Sequence, residues 1–123
     1  MPDPNFTILY VDNPVASAAF YADLLGRPPV ESSPTFAMFA FESGQMLGLW
    51  SRHTVAPAAT AAVGGSEIAF TTNDADAVRA MHADWQRRGI EIIQTPTDLD
   101  FGDTFVAIDY DGHRLRVFAP TAP

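Results

Sequence analysis

The stretch Phe101 to Phe118, FGDTFVAIDYDGHRLRVF, contains two runs of strand-forming residues separated by Asp111-Gly112. An Asp-Gly pair between such runs is a strong hairpin signal, because tight hairpin turns need a positive φ that glycine adopts easily. We therefore predict a strand that ends before the turn and another from His113 to Phe118. Strand side chains alternate between faces. One face then carries Leu115 and Val117, and the other carries Arg114, Arg116 and Phe118.

A second, similar arrangement lies between Phe36 and Trp50, which indicates an internal duplication. Each half follows the order strand, helix and three strands, so we predict an α+β fold. We predict one domain, residues 1–123, with module 1 at 5–51, a linker at 52–65 that is rich in Ala, Pro, Thr and Gly, and module 2 at 66–119. The predicted strands before the hairpin are Phe6–Val11, a short piece near Val30, Phe36–Phe41, Met46–Trp50, Ser66–Thr71 and Glu91–Gln94.

Both helices have sequence signals at their ends. Asn13-Pro14 predicts an N-cap followed by proline at the first helical position, and Gly26 predicts the end of that helix. The second helix is predicted to begin at Asn73 or Asp74 and to end near Arg88, before Gly89. Its apolar stripe contains Val78, Met81 and Trp85, so we expect Trp85 in the core.

Composition excludes several classes of function. The 123 residues carry a formal net charge of −8, which disfavours binding to nucleic acid or to an anionic membrane surface. No apolar run is long enough to span a bilayer, and Met1-Pro-Asp-Pro does not resemble a signal peptide. The absence of cysteine removes disulfides, thiolate metal sites and cysteine nucleophiles. We expect a cytoplasmic protein.

The alternation of the strands predicts one face under each helix and one open face. The covered set is uniformly apolar, whereas the open set mixes aromatic, charged and small residues, as binding surfaces do. The covered set is Leu9, Val11, Leu47, Leu49, Ile68, Phe70, Leu115 and Val117. The open set is Phe6, Ile8, Tyr10, Met46, Gly48, Trp50, Glu67, Ala69, Thr71, Arg114, Arg116 and Phe118.

Three pieces of the chain resemble the vicinal oxygen chelate superfamily of glyoxalases, bleomycin-resistance proteins and extradiol dioxygenases. These are VDNPVASAAFYADLLG (residues 11–26), GGSEIAFTTNDADAV (64–78) and IDYDGHRLRVF (108–118), in the order in which that family has them. The resemblance implies two βαβββ modules whose mixed sheets curve into a cup, within a homodimer. MLGLW (residues 46–50) and the stretch 101–118 look particularly like the phenazine-antibiotic-resistance branch of the family.

Metal-dependent members of this family place His, Gln or Glu ligands on strands one, four, five and eight. By resemblance these positions fall on Phe6, Gly48, Glu67 and Arg116. Phenylalanine and glycine offer no ligand atom, and arginine is a permanent cation. One carboxylate remains where three or four ligands are needed. We therefore expect no metal, no cofactor and no catalytic residues of the family's kind.

The open set instead suits a planar aromatic ligand, and we expect the protein to sequester such a drug, phenazine-like or bleomycin-like. Aromatic faces would stack on the ligand and Arg116 or Arg114 would pair with an acid group, with Glu67 either holding Arg116 or accepting from a ligand amine. A space beside Trp50, opposite Gly48, would admit the flat ring. The ligand-binding prediction comprises Trp50, Phe6, Tyr10, Gly48, Glu67, Arg116, Phe118 and Met46.

Other interpretations stay open at this point. Trp50 could pack in the core or a dimer interface, and Arg116–Glu67 could be a structural ion pair. The alternative function is a divergent metal-dependent glyoxalase-like or dioxygenase-like enzyme, which requires His53, His113 or the loop at Asp103 to supply ligands. A third interpretation is an interaction module without a ligand.

The remaining polar groups fit structural roles. His53, His82 and His113 lack metal-binding spacing and are predicted to be surface or turn residues. Asp109 and Asp111 lack the spacing of a calcium loop, and turn chemistry explains Asp111.

Overall fold

The computed structural model describes residues 1–121. The chain forms two compact units, Met1–Ala61 and Ala62–Pro123, each of which is described by itself. Both have the same architecture, a four-stranded mixed sheet with one helix, as predicted. The first unit contains β1 (Phe6–Val11), α1 (Pro14–Leu25), β2 (Glu31–Ser32), β3 (Phe36–Ala40) and β4 (Met46–Ser51). The second contains β5 (Glu67–Thr71), α2 (Ala75–Arg87), β6 (Glu91–Leu99), β7 (Gly102–Ile108) and β8 (Arg114–Pro120).

The two sheets share one strand order. The first is β1-β4-β3-β2 and the second is β5-β8-β7-β6. In each, the first strand pairs parallel with the last, and the remaining neighbours are antiparallel. The internal duplication predicted from element order is therefore present in the topology.

The helix ends follow the predicted signals. The Asn13 side chain accepts hydrogen bonds from the backbone N–H groups of Val15 and Ala16, and Pro14 is the first helical residue. Gly26 ends α1 with φ 69°, and its N–H donates to the carbonyl of Ala22. The Asp74 side chain caps α2 by accepting from the N–H of Ala77 at 2.8 Å. These caps satisfy backbone donors that a helix end leaves without partners.

The predicted alternation of the strands is also confirmed. In β8 buried and more exposed residues alternate, and Leu115 and Val117 are fully buried. Within the first unit, Leu9, Val11 and Leu49 are buried in the same way. Trp85 is buried in the second unit, with its ring 5.2 Å from that of Phe105. The remaining members of the predicted covered set are Leu47, which is buried, and Ile68 and Phe70, which are half-buried.

Strand β6 and the last hairpin turn differ most from the sequence prediction. Strand β6 continues to Leu99 instead of stopping at Gln94, with irregular register on both sides of Gln94. It is an edge strand, so Pro96 removes no hydrogen bond that an interior strand would need. The hairpin turn is a five-residue loop, 109–113, and not a two-residue turn at Asp111-Gly112, although Gly112 has the expected positive φ of 93°. No helix within residues 1–121 combines the length and apolar character that crossing a bilayer requires.

Candidate functional site

The open face of the first sheet presents aromatic side chains. Phe6, Ile8 and Tyr10 are 38%, 44% and 44% exposed, which is high for large apolar residues on a strand. The register of β1 with β4 pairs Ile8 with Gly48 and Tyr10 with Trp50. Met46, paired with Phe6, and Trp50 are both half-buried on this face. The structure thus brings the five predicted residues of the first unit, Phe6, Tyr10, Met46, Gly48 and Trp50, onto one sheet face.

Gly48 lies under two aromatic rings of its own sheet. A Cβ atom at this position would lie 2.8 Å from Cε1 of Phe6 and 3.1 Å from Cζ of Phe36. The expectation that Gly48 leaves room for a flat ligand is therefore wrong in detail, because Phe6 and Phe36 fill that space. Gly48 instead allows these rings to lie close to the strand backbone, and their outer faces remain for contact with a ligand.

Trp50 belongs to the same aromatic cluster. Its ring stands edge-to-face against Phe36, with 6.3 Å between centroids and an interplanar angle of 87°. Such pairs contribute about 0.5–1.5 kcal/mol beyond the burial of area. Residue Phe36 was not among the predicted site residues. Phe36 lies opposite Trp50 in the β3–β4 pairing, and the local sequence does not determine that register.

In the second unit, Glu67 and Arg116 form a bidentate ion pair. Nε of Arg116 lies 2.8 Å from Oε1 of Glu67, and Nη2 lies 2.9 Å from Oε2. The hydrogen bonds from Arg116 lower the pKa of Glu67 below its usual value. Desolvation opposes this effect, and the nearby charges of Arg116 and Arg114 reinforce it. The predicted role of Glu67 in holding Arg116 is present, and the carboxylate of Glu67 occupies the fork that was expected to receive the ligand's acid group.

The other edge of the Arg116 guanidinium faces polar groups of the sheet. Nη1 donates to the Thr104 hydroxyl at 3.1 Å and lies 3.5 Å from Oε1 of Gln94. The buried Thr104 hydroxyl in turn donates to the carbonyl of Val117 at 2.9 Å. This network fixes the position of Arg116 from three strands, β5, β6 and β7. Sequence analysis missed Thr104 and Gln94, because their proximity depends on register across the sheet.

An aromatic pair lies next to Arg116. Phe101 contacts Phe118 edge-to-face with centroids 5.8 Å apart, and Cζ of Arg116 lies 5.7 Å from the Phe101 centroid. Phe118 was a predicted site residue and Phe101 was not. Phe101 is 43% exposed, so the second sheet also offers an aromatic side chain to solvent beside its charged group.

The four positions that hold metal ligands in the family do not fit a metal in this chain. Phe6 and Gly48 have no donor atom, and Arg116 is a cation. Both carboxylate oxygens of Glu67 already accept hydrogen bonds from Arg116. A divalent ion needs several oxygen, nitrogen or sulfur ligands with free electron pairs, which these side chains do not supply.

The three histidines are held by structural contacts. Nε2 of His53 lies 2.7 Å from Oδ1 of Asp12, and both side chains are exposed. His82 was predicted to be at the surface, and this is wrong. Its ring contacts Phe105 with 5.4 Å between centroids, and its Nε2 is buried without a hydrogen-bond partner among residues 1–121. His82 precedes the core residue Trp85 by three positions and therefore lies near the buried side of α2. The polar residues around it in the sequence did not indicate this.

Asp109 organises the last hairpin loop. Its Oδ1 accepts from the backbone N–H groups of Asp111 and His113, both at 2.9 Å, and its Oδ2 lies 2.8 Å from Nδ1 of His113. The turn chemistry that was assigned to Asp111 therefore belongs to Asp109. Ligand atoms of Asp109, Asp111 and His113 lie within 4.8 Å of one another, and these hydrogen bonds account for that clustering.

Comparison with known proteins agrees with the fold. The model of the Glyoxalase/Bleomycin resistance protein/Dioxygenase superfamily matches residues 4–117. The chain belongs to this superfamily. The predicted α+β fold with two βαβββ units is confirmed.

Individual relatives match this chain over nearly its whole length. A protein of Agrobacterium tumefaciens solved by solution NMR is 52% identical, with a TM-score of 0.91 over 99% of this chain and 100% of that one. The phenazine antibiotic resistance protein EhpR of Enterobacter agglomerans is 28% identical over 117 residues, 93% of this chain and 89% of EhpR. A glyoxalase-related enzyme of Fulvimarina pelagi has a TM-score of 0.81 at 20% identity, over 97% of this chain and 88% of that one, which is a likeness of fold.

Proposed function

We propose that the protein binds a planar aromatic small molecule without a metal ion and confers resistance to it by sequestration. The ligand class is a phenazine or a similarly flat drug. Trp50, Tyr10, Phe6 and Phe36 are the stacking residues of the first unit, and Phe118 and Phe101 are those of the second. The absence of cysteine fits action in the reducing cytoplasm.

The main support for this proposal is the kind of residue found at the family's four metal-ligand positions. An aromatic ring packed on glycine replaces one pair of ligands, and a closed ion pair replaces the other. This arrangement removes the Lewis acid on which the family's metal-dependent reactions rely. It adds apolar and aromatic surface, which favours binding.

The relationship to EhpR supports the ligand class. A protein that is named for phenazine resistance is 28% identical over nearly the whole chain. Micromolar affinity, the level that sequestration needs, corresponds to about 8 kcal/mol. Burial of a flat apolar ring on aromatic side chains supplies favourable free energy in proportion to the area removed from water.

Assembly as a homodimer is part of the proposal. β1 is an edge strand of its sheet, so one side of its backbone has no strand partner within residues 1–121. Proteins usually cover such edges by pairing or by assembly. Light scattering coupled to gel filtration measures the mass of the particle; twice 13.3 kDa is expected, and a mass of 13.3 kDa at micromolar concentration would contradict the dimer.

Calorimetric titration tests the function. Protein dialysed against chelator is titrated with phenazine and with phenazine-1-carboxylate, before and after addition of Zn²⁺, Ni²⁺ or Fe²⁺, and the ligand is recovered for mass spectrometry. We expect saturable binding without metal and unchanged ligand. Trp50→Ala should lose at least about tenfold in affinity while Trp50→Phe, which keeps a ring, retains most of it. Binding or conversion only in the presence of metal would instead support the glyoxalase-like enzyme.

A further inference from the structure

Arg114 lies on the open face of the second sheet and is a cation without an ion pair among residues 1–121. It lies two residues before Arg116 on β8, so the two side chains share a face. Arg114 is exposed and forms no salt bridge with any residue in the described range 1–121. Of the other arginines, Arg27 binds the carbonyl of Ala40. The rest each pair with a carboxylate: Arg52, Arg79, Arg87, Arg88 and Arg116.

Two carboxylates lie in register with Arg114 on the other strands of its sheet, and neither forms a salt bridge with it within residues 1–121. In the parallel pairing of β5 with β8 Glu67 is its register partner, but both oxygens of Glu67 bind Arg116. On the other side Arg114 pairs in register with Ile108, and Glu91 lies one strand further along. Two inter-strand spacings, about 10 Å at the backbone, separate Glu91 from Arg114, and the two side chains form no salt bridge within residues 1–121. Within the described part of the chain, the guanidinium of Arg114 therefore forms no ion pair beside the Glu67–Arg116 pair.

We propose that Arg114, and not Arg116, recognises an anionic group on the planar ligand, so that the protein prefers aromatic carboxylates. This inference rests on the proposed function and specifies its ligand. The planar guanidinium matches a carboxylate with two parallel hydrogen bonds. In a chain with a net charge of −8, a local free cation is what allows an acidic ligand to approach.

The spacing along β8 fits one ligand that contacts both groups. Arg114 and Arg116 are about 7 Å apart along the strand, at two residues of roughly 3.4 Å each. The aromatic pair Phe101 and Phe118 begins next to Arg116, since Cζ of Arg116 lies 5.7 Å from the Phe101 centroid. Arg116 lies between Phe118 and Arg114 on β8, but Glu67 already occupies its guanidinium, so an acid group on a ligand that extends past Arg116 finds its donors at Arg114. Arg116 is then a positioning residue, which holds Glu67 and flanks the aromatic surface.

The experiment compares phenazine-1-carboxylate with uncharged phenazine at pH 7.5. We expect Arg114→Gln to weaken binding of the carboxylate about tenfold or more and to change the affinity for phenazine less than about twofold. Arg114→Lys keeps the charge but not the planar guanidinium, so it should retain part of the preference for phenazine-1-carboxylate over phenazine. Arg87→Gln on α2 makes the same change in net charge and should leave both affinities unchanged. Added NaCl should weaken carboxylate binding in the wild type but not in Arg114→Gln.

Each result decides between the alternatives. An unchanged preference for the carboxylate in Arg114→Gln would overturn the inference and leave the proposed function standing. Loss of the preference in a folded Arg116→Gln protein, with Arg114→Gln unaffected, would assign the acid group to Arg116 and also overturn it. If the wild type binds neither compound, the proposed function fails and the inference fails with it.

Discussion

The carboxylate of Glu67 accepts two hydrogen bonds from the guanidinium of Arg116, from Nε at 2.8 Å and from Nη2 at 2.9 Å. The pair is diagonal across β5 and β8, since the direct register partner of Glu67 is Arg114. Phe6 and Gly48 occupy the same diagonal in the first sheet, where Phe6 pairs directly with Met46. The same diagonal pair of positions therefore occurs in both sheets of the duplicated fold. An ion pair occupies it in the second sheet, and a phenylalanine ring over glycine occupies it in the first.

The ion pair predicts a pH dependence of stability. Hydrogen bonds from Arg116 hold the pKa of Glu67 below its ordinary value of 4.5, so the ionised form stabilises the folded state above that pH. As the pH falls through the lowered pKa, this contribution is lost. We expect Glu67→Gln to lower the free energy of unfolding by about 1 kcal/mol at pH 7, and the difference from wild type to close as the pH falls below 4.5 and through the lowered pKa of Glu67.

Urea denaturation at a series of pH values measures this difference. The Arg116→Gln background serves as the control, since Glu67→Gln should there lose most of its effect and its pH dependence. A difference between wild type and Glu67→Gln that stays constant from pH 7 to pH 3 would contradict the structural role of the pair.

Gly48→Ala should separate binding from stability. The new Cβ would lie 2.8 Å from the Phe6 ring, which is partly exposed and can turn away. The gain from removing a glycine in the unfolded chain offsets part of the strain, so stability should change by less than about 1 kcal/mol. Phenazine affinity should fall, because the ring surface is displaced. Gly65→Ala, with open space around its Cβ, is the matched control, and wild-type affinity in Gly48→Ala would count against the aromatic site.

Gly102 is expected to tolerate no side chain. Its φ is 137°, and a Cβ there would lie 1.9 Å from the carbonyl oxygen of Ala119 on the neighbouring strand. Gly102→Ala should therefore lower the free energy of unfolding by about 2 kcal/mol or more, because both backbone strain and overlap must be relieved. Chemical denaturation beside Gly65→Ala measures it. A loss under about 0.5 kcal/mol would show that β7 and β8 separate easily at this end.

Replacement of His82 should stabilise the protein. Its Nε2 is buried without a partner among the described residues and its ring packs against Phe105. His82→Leu removes the unsatisfied polar atom and keeps apolar volume, so thermal unfolding at pH 7 should report a gain of about 1 kcal/mol. His53→Leu is the control at an exposed site, where the contact with Asp12 is lost and no gain follows. Destabilisation by His82→Leu would contradict this prediction and show that the imidazole stabilises the folded state.

Much of the fold was predictable because local signals and global structure agree. Asn13, Gly26 and Asp74 mark helix ends by their own chemistry, and the alternation in β8 follows from its sequence. The extension of β6 was not predictable. Pro96 and the polar residues around it break the alternation, and only pairing with β7 makes this stretch a strand.

The candidate site was predictable to the level of single strands. Strand parity placed Trp50, Glu67 and Arg116 on open faces, where the structure has them. Their partners Phe36 and Thr104 come from antiparallel neighbours, whose register is fixed by contacts far apart in sequence. The same limit applies to Gly48, since no local rule states that the Phe6 ring lies over it.

Fluorescence of Trp50 tests the central claim most directly. The chain has two tryptophans, and Trp85 is buried at 3% exposure, so Trp85→Phe leaves Trp50 as the sole reporter on the open face. In chelator-treated protein, titration with phenazine-1-carboxylate should quench this emission saturably at micromolar ligand. The complementary Trp50→Phe protein, in which Trp85 is the reporter, should show weaker quenching than the Trp85→Phe protein. Unquenched Trp50 emission at saturating ligand, or quenching that requires added metal, would contradict metal-independent stacking on the first sheet.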